Sequence, residues 1–389
     1  MASLLRTRTG RLVAGALVLL SLAVVVGLVA LWPRGEEPVA AQIAPQIVQS
    51  AEVVRVSGEG CERLAGRGCR LIDVVLRDGP DEGAESFFAL PGGGLSPDLD
   101  VGDRIQVGRN EVEGKPVPLD DVQAQPLVFL DFDRDRPLLV LTIAFALIVI
   151  ALARWQGVRS LIGLAVSLVV VVGWLVPALL HGSPPLLAAL VAGLAVMFAT
   201  TALTHGLGMK TATAMLGAAV TLLVIVLLAV LSVEAAHITG LASEEANLIE
   251  ARAEGDVSIQ GLVLAGIVVG ALGVLDDLTI SQASTVLALR RANPSFQART
   301  LFGEAMTVGR DHLGATVNTL ALAYAGASLP AMLIFATQGT RFADAVTRES
   351  VAEQLVAMLV GSIGLVAAVP LTTGLAALLA VRSAPEATR

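Results

Sequence analysis

Eight apolar stretches, each about as long as a membrane crossing, constrain the fold of this chain more than any other feature. The hydrocarbon core of a bilayer is about 30 Å thick and is crossed by roughly 20 helical residues. Hydrocarbon offers the backbone no hydrogen-bond partners, so these stretches are expected to be helices. A mean hydropathy of +0.76 and a charged fraction of 15% also favour an integral membrane protein. The stretches are residues 12–32, 137–153, 160–180, 185–204, 212–232, 260–280, 313–337 and 353–381.

The first stretch, residues 12–32, has the features of a membrane anchor. Arginines precede it, and it is longer than the apolar core of a cleaved signal peptide. We therefore predict an uncleaved transmembrane anchor, with cleavage near Ala40-Ala41 as the alternative.

Lysine and arginine are unevenly distributed between alternate loops. They concentrate in the loops that share a side with the N-terminus, which the positive-inside rule assigns to the cytoplasm. The predicted arrangement has a cytoplasmic N-terminus at 1–11, a cytoplasmic tail at 382–389 and an external segment at 34–136. The chain has no run of Lys or Arg residues, so nucleic-acid binding is not predicted.

The external segment, residues 34–136, is polar and rich in short β-type runs separated by Gly, Pro and Asp. Five such runs predict a small extracytoplasmic β-rich domain, either OB-like or a sandwich. Cys61 and Cys69 lie in this segment and are expected to form a disulfide outside the cell, with two buried thiols as the alternative. The runs are Val53–Val56, Leu71–Leu76, Ser86–Leu90, Arg104–Val107 and Leu127–Phe132.

Two adjacent carboxylates, Asp276 and Asp277, interrupt the sixth stretch. A charge at membrane depth costs at least about 2.5–3.5 kcal/mol, so these acids require a proton, a cation or a basic partner. Helical spacing places one set of small and polar residues on the same face as Asp277, whereas Asp276 points about 100° away. This face is predicted to pack against another helix, and it comprises Gly266, Gly270, Gly273, Asp277, Ser281 and Ser284.

The seventh stretch has a similar small and polar stripe that includes Asp311, Gly314 and Asn318. It is predicted to face the stripe of the sixth stretch, with the glycines serving helix packing. For Asp276 and Asp277 two interpretations stay open, a functional site or a structural ion pair with Arg310. The candidate ion or substrate ligands are Asp276, Asp277, Ser281, Gln282, Arg310, Asp311, His312 and Asn318.

Two strings resemble the signatures of the YibE/F-like family of bacterial membrane proteins. The first runs from Gly273 to Ser284 and contains Asp276 and Asp277; the second runs from Gly303 to His312. The resemblance covers most of residues 137–381, the predicted seven-helix region. It implies a multi-pass protein of the bacterial plasma membrane, of a kind described as a permease, without a defined substrate.

The overall prediction is an all-α polytopic membrane bundle of about eight transmembrane helices with the β-rich domain outside. The favoured function is transport of a small solute or ion by the intramembrane carboxylates. One alternative is an accessory protein that binds a partner through residues 34–136. The partner would be another membrane protein or a further copy of this chain in a homo-oligomer. A third is an intramembrane enzyme that uses Asp277 and Asp311, which we set aside because the Gly-x-Gly-Asp pattern of such proteases is missing. No enzyme activity and no cofactor are predicted, and the lipid bilayer is an expected partner.

Overall fold

The computed structural model describes residues 7–34, 48–58, 61, 65, 68–92, 96–112, 115–121, 125–242, 246–247, 249 and 257–382. They belong to two compact units. One combines Met1–Ala40 with Ala153–Arg389, and the other is Ala41–Leu152. Residues 1–6 of the predicted N-terminal segment, the Ala40-Ala41 alternative and all of the predicted tail except Arg382 lie outside the described residues.

Seven helices in the described part of the chain are long and apolar enough to cross a membrane. They overlap all the predicted stretches, and α5 and α6 extend beyond them because one end of each helix carries polar residues that hydropathy excludes. The seven are α1 (Arg8–Ala30), α2 (Asp135–Leu180), α3 (Pro185–His205), α4 (Met209–Ala235), α5 (Ile259–Ala292), α6 (Ala298–Thr337) and α8 (Glu349–Arg382), and the short α7 (Phe342–Val346) precedes α8.

Helix α2 contains a break at Arg154. Its 46 residues would extend about 69 Å as one straight helix, about twice the thickness of a bilayer. Arg154 has φ 53° and ψ −132°, which is not helical and interrupts the backbone between the predicted stretches 137–153 and 160–180. The two predicted stretches are therefore separated by a break in the backbone, although the bounds of α2 include both of them.

Helix α5 occupies the centre of the helical unit, where it packs against α3, α4 and α8. Its apolar side is buried, and the helices approach it closely where their contacting residues are small. A Cβ atom at Gly193 on α3 would lie 2.6 Å from Leu272 Cδ1, so a larger residue there would have to displace the Leu272 side chain. The buried side of α5 includes Ala265, Val268, Ala271, Leu275 and Leu278.

The β unit is a five-stranded antiparallel sheet that curves into a half-barrel. All five predicted strands are present, and sequence reasoning missed only the short hairpin of β5 (Glu111–Val112) and β6 (Lys115–Pro116). The strand order is β3-β2-β1-β4-β7, and the rings of Phe88 on β3 and Phe129 on β7 approach to 6.2 Å between centroids. A single curved sheet favours the OB-like alternative over a sandwich. The strands are β1 (Val48–Ser57), β2 (Arg70–Leu76), β3 (Glu85–Leu90), β4 (Arg104–Arg109) and β7 (Leu127–Phe132).

Cys61 and Cys69 form the predicted disulfide, with their Cα atoms 5.9 Å apart. Both residues are buried and pack against Ala89 at the end of β3. The disulfide therefore fixes the connection between β1 and β2 to the sheet.

Replacing both cysteines with serine is expected to destabilise the β unit by about 2.5 kcal/mol, because a short closed loop no longer restricts the unfolded chain. Hydrogen exchange of the full-length protein would show faster exchange in the strands and unchanged exchange in α5. Equal exchange in the strands of the two proteins would contradict this prediction.

Candidate functional site

The carboxylate of Asp276 lies between two threonine hydroxyls of a neighbouring helix. Thr200 Oγ1 is 2.9 Å from Asp276 Oδ2, and Thr201 Oγ1 is 2.8 Å from Asp276 Oδ1. The threonines are consecutive near the end of α3, and Thr201 is buried. Each carboxylate oxygen therefore has its own hydroxyl, which orients the group across the α3–α5 interface.

The hydroxyls of Thr200 and Thr201 have more acceptors than protons. Thr200 Oγ1 is also 2.9 Å from the Val196 carbonyl oxygen, and Thr201 Oγ1 is 2.6 Å from that of Met197. A hydroxyl donates one proton and accepts at its lone pairs. The hydroxyls can thus donate to a charged Asp276, or turn to the helix carbonyls when a proton or cation occupies the carboxylate. This arrangement accommodates Asp276 in both states.

Asp276 and Asp277 line a cavity of about 430 Å³ between the second half of α2, α3 and α5. A second cavity of about 280 Å³ adjoins it and shares Asp276, Thr200 and Gly273. The larger cavity lies within about two helical turns of the end of α3. Its lining is mostly polar or small: Ser160, Gly163, Ser167, Thr200, Thr201, Thr204, His205, Gly273, Asp276 and Asp277, together with Leu164 and Ile280.

Asp277 is exposed and Asp276 is half-buried. Of the ion pairs between described residues, none includes Asp276, Asp277 or Arg310. Arg310 is exposed on α6 instead. The structural ion pair with Arg310, one of the two interpretations of the sequence, is therefore not formed.

Gln282 belongs to a different contact from Asp276. It is buried between α5, α6 and α8, where its Oε1 accepts a hydrogen bond of 3.0 Å from Thr373 Oγ1 and its amide faces Gly309. Ser281 is half-buried one position before it, and neither residue lines the cavity of Asp276. Gln282 thus lies at the contact of three helices.

The candidate residues of α6 lie away from the Asp276 cavity. Arg310, Asp311 and Asn318 are exposed and His312 is half-buried, and none of them lines that cavity. The buried side of α6 carries Leu301, Ala305, Gly309, Leu320 and Ser328 instead. The predicted stripe of α6 does not face that of α5, because α6 packs mainly on α8 through its other side.

The predicted packing glycines are mostly open. A Cβ atom at Gly266, Gly273 or Gly314 would meet nothing within 4 Å, so no helix packs on these positions in the described structure. Gly270 is close to a single group, the Tyr324 hydroxyl. The sequence spacing correctly places these α5 residues on one face of the helix. That face borders open space, because α3, α4 and α8 pack against the other faces of α5.

Sequence reasoning did not assign Thr200, Thr201, Thr204 and His205 to the site. Four polar residues in six positions near the end of their helix were the available signal. His205 Nδ1 is 3.4 Å from Lys210 Nζ, outside ion-pair contact with the two acids. The serines of α2 at 160 and 167 were also missed.

The oxygen-rich lining suits a proton or a small hard cation. Carboxylate and hydroxyl oxygens are the ligands that such cations prefer. Among the described residues, no group of three or more His, Cys, Asp or Glu side chains is placed to hold a metal ion. A cation at Asp276 would therefore have to use the threonine hydroxyls, Asp277 or water as further ligands.

Comparison with known proteins is informative for the helical region only. No curated protein and no solved structure matches this chain. The sequence profile of the YibE/F-like proteins matches residues 141–382, which include all the helices around the cavity. Because this match covers more than half of the chain, the protein belongs to the YibE/F-like family.

Proposed function

We propose that this YibE/F-like protein is a membrane transporter that moves a proton or a small cation through Asp276. The observation that carries the proposal is the Asp276 carboxylate between the Thr200 and Thr201 hydroxyls at the wall of the 430 Å³ cavity. The exposed Asp277 supplies a second negative charge in the same cavity.

Charge balance supports a positively charged occupant. A carboxylate taken out of water is costly unless it is protonated, paired or bound to a cation. The described structure gives Asp276 two neutral donors and no basic partner within ion-pair distance. A proton or a cation is therefore the group that would balance this charge.

The location of the cavity supports access from water. In the proposed topology eight helices cross the plasma membrane, with the break at Arg154 dividing α2 and both termini in the cytoplasm. The cavity then lies near the cytoplasmic ends of α3 and α5, where Arg154, Arg159 and Lys210 follow the positive-inside rule. An ion could reach Asp276 from the cytoplasm without crossing the whole bilayer.

Reconstituted vesicles provide the direct test. Vesicles containing the full-length protein should dissipate an imposed gradient of protons or of one cation faster than protein-free vesicles. Separate arms with H⁺, Na⁺, K⁺, Mg²⁺ and Ca²⁺ would identify the transported ion. Rates equal to those of protein-free vesicles in every arm would reject the proposal.

Replacing Thr200 and Thr201 together with valine is expected to weaken ion binding by about ten- to a hundredfold. Valine keeps the shape of threonine but removes the hydroxyl, and a hydrogen bond to a charged group contributes about 1.5–3 kcal/mol. The measurement is the ion concentration that gives half-maximal flux. Thr316→Val is the matched control, because its hydroxyl bonds the His312 carbonyl oxygen and does not line the cavity. An unchanged half-maximal concentration in the double variant would contradict the role of the hydroxyls.

A further inference from the structure

A second acidic cavity lies near the opposite end of α5. It has a volume of about 300 Å³ and is formed by α5, α6, α8 and the segment that follows α4. Among the described residues its polar lining is Glu353, Gln354 and Tyr324, and Gly266 forms part of its wall. None of the residues that line the Asp276 cavity lines this one.

Glu353 is available to an occupant of this cavity, whereas the neighbouring Glu349 is not. Glu349 begins α8 and accepts hydrogen bonds from the Gly240 amide at 2.7 Å and the Thr239 hydroxyl at 2.8 Å, which fixes the segment after α4. Glu353 follows one turn later, is half-buried and lines the cavity. No ion pair between described residues includes Glu353.

The two acidic cavities meet the same side of α5. Gly266 lines the Glu353 cavity, and Gly273 and Asp277 line the Asp276 cavity. Eleven residues separate Gly266 from Asp277, a rise of about 16 Å along the helix. A Cβ atom at Gly266 or Gly273 would have no neighbour within 4 Å, so the wall between the cavities is open at both positions.

The free space along this side of α5 is smaller at Gly270 than at Gly266 and Gly273. A Cβ atom there would lie 2.6 Å from the Tyr324 hydroxyl oxygen and 3.8 Å from Tyr324 Cζ. Gly270 lies between Gly266 and Gly273 and lines none of the cavities described here. The Tyr324 hydroxyl thus lies against Gly270, between the positions that line the two cavities.

We infer that the glycine face of α5 is the ion path, with Glu353 as a second binding group and the Tyr324–Gly270 contact as its closure. This inference rests on the proposed transport function and extends it from one site to a route. An ion enters the Glu353 cavity from one side of the membrane and the Asp276 cavity from the other. Movement of the Tyr324 hydroxyl away from Gly270 joins the two.

Helix packing is the competing explanation of the glycines, and the contacts do not support it. Packing glycines in this protein meet a neighbouring side chain, as Gly193 does with Leu272. Gly266 and Gly273 meet none. Their lack of a side chain leaves free space next to two acidic cavities, which packing does not require.

Cysteine labelling of the full-length protein in sealed vesicles tests the two entrances. The two native cysteines form the disulfide, so an introduced cysteine is the sole free thiol. With a charged, membrane-impermeant methanethiosulfonate, Gly266→Cys should react from one side and Gly273→Cys from the other. Leu227→Cys, at an exposed apolar position of α4, should react from neither. Reaction of both glycine-site cysteines from the same side, or of neither, would overturn the path.

Gly270→Ala tests the closure. The added methyl group overlaps the Tyr324 hydroxyl and displaces it from Gly270, so flux should rise by about tenfold, an effect of the size that overpacking produces. Tyr324→Phe removes the same oxygen, so adding Gly270→Ala to the Tyr324→Phe protein should change its flux no further. Unchanged flux in Gly270→Ala, with the variant correctly inserted and folded, would overturn the closure.

The labelling result is independent of the Asp276 proposal. If Asp276→Asn transports normally while the two cysteines still react from opposite sides, the assigned ion site is wrong and the path stands. If Asp276→Asn is inactive but the cysteines react from one side, the site stands and the path is wrong.

Discussion

Asp276→Asn should reduce proton or cation flux about a hundredfold or more, the largest functional effect expected for a single substitution in this protein. Asparagine keeps the size of the side chain and can still bond a threonine hydroxyl through its amide oxygen. It cannot carry a negative charge or release a proton. The variant should therefore fold and insert normally while its cavity no longer attracts a cation. Flux into vesicles, corrected for the amount of inserted protein, measures this loss.

Two matched variants separate the site from general effects of losing an acid. Asp277→Asn removes the exposed acid of the same cavity and should lower flux less than Asp276→Asn, since no threonine hydroxyl orients it. Asp311→Asn removes an exposed acid of α6 that does not line the cavity and should leave flux unchanged. Equal losses in all three variants, or wild-type flux in Asp276→Asn, would contradict the assignment of Asp276.

The helices and strands could be predicted because their signals are local. Twenty consecutive apolar residues identify a membrane-length helix without knowledge of its neighbours. Alternating β-type residues between turn residues did the same for the five strands. The predicted external location of Cys61 and Cys69 favoured the disulfide over two buried thiols. The hairpin of β5 and β6 was missed because each strand has two residues, too few to show a pattern.

The partners of Asp276 could not be predicted because they depend on how the helices are rotated. Periodicity correctly separated Asp276 from Asp277 by about 100°. It could not tell which of the two faces another helix. The buried residues of α5 fix this rotation by packing on α4 and α8, and they turn Asp276 toward α3 and leave Asp277 exposed. Thr200 and Thr201 therefore became site residues only once the packing was known.

Glycines show the same limit of sequence reasoning. A glycine in an apolar helix marks either a close helix contact or an open surface, and its spacing is identical in both cases. Gly266, Gly273 and Gly314 were predicted to pack and are open, whereas Gly193, Gly217 and Gly364 make the close contacts. This difference gives a direct test of the bundle.

Gly364→Val is expected to lower the unfolding free energy of the helical unit by about 3 kcal/mol or more, because it overfills a tight helix contact. Gly364 on α8 is buried, and even a single methyl group there would overlap Ile225 Cγ1 on α4. Ile225 is itself fully buried within the main apolar cluster of the helical unit. The expected result is a lower melting temperature and less folded protein in detergent.

Gly314→Val is the matched control, since it makes the same chemical change on α6 where a Cβ atom meets nothing within 4 Å. It should leave the melting temperature nearly unchanged, because valine is no worse a helix former than glycine and fills no occupied space at this position. A pair of equally destabilised variants would mean that α6 is packed at Gly314 by something outside this chain. A pair of equally stable variants would mean that α4 and α8 do not meet at Ile225 and Gly364, and the arrangement of helices that holds α5 and turns Asp276 toward α3 would then be wrong.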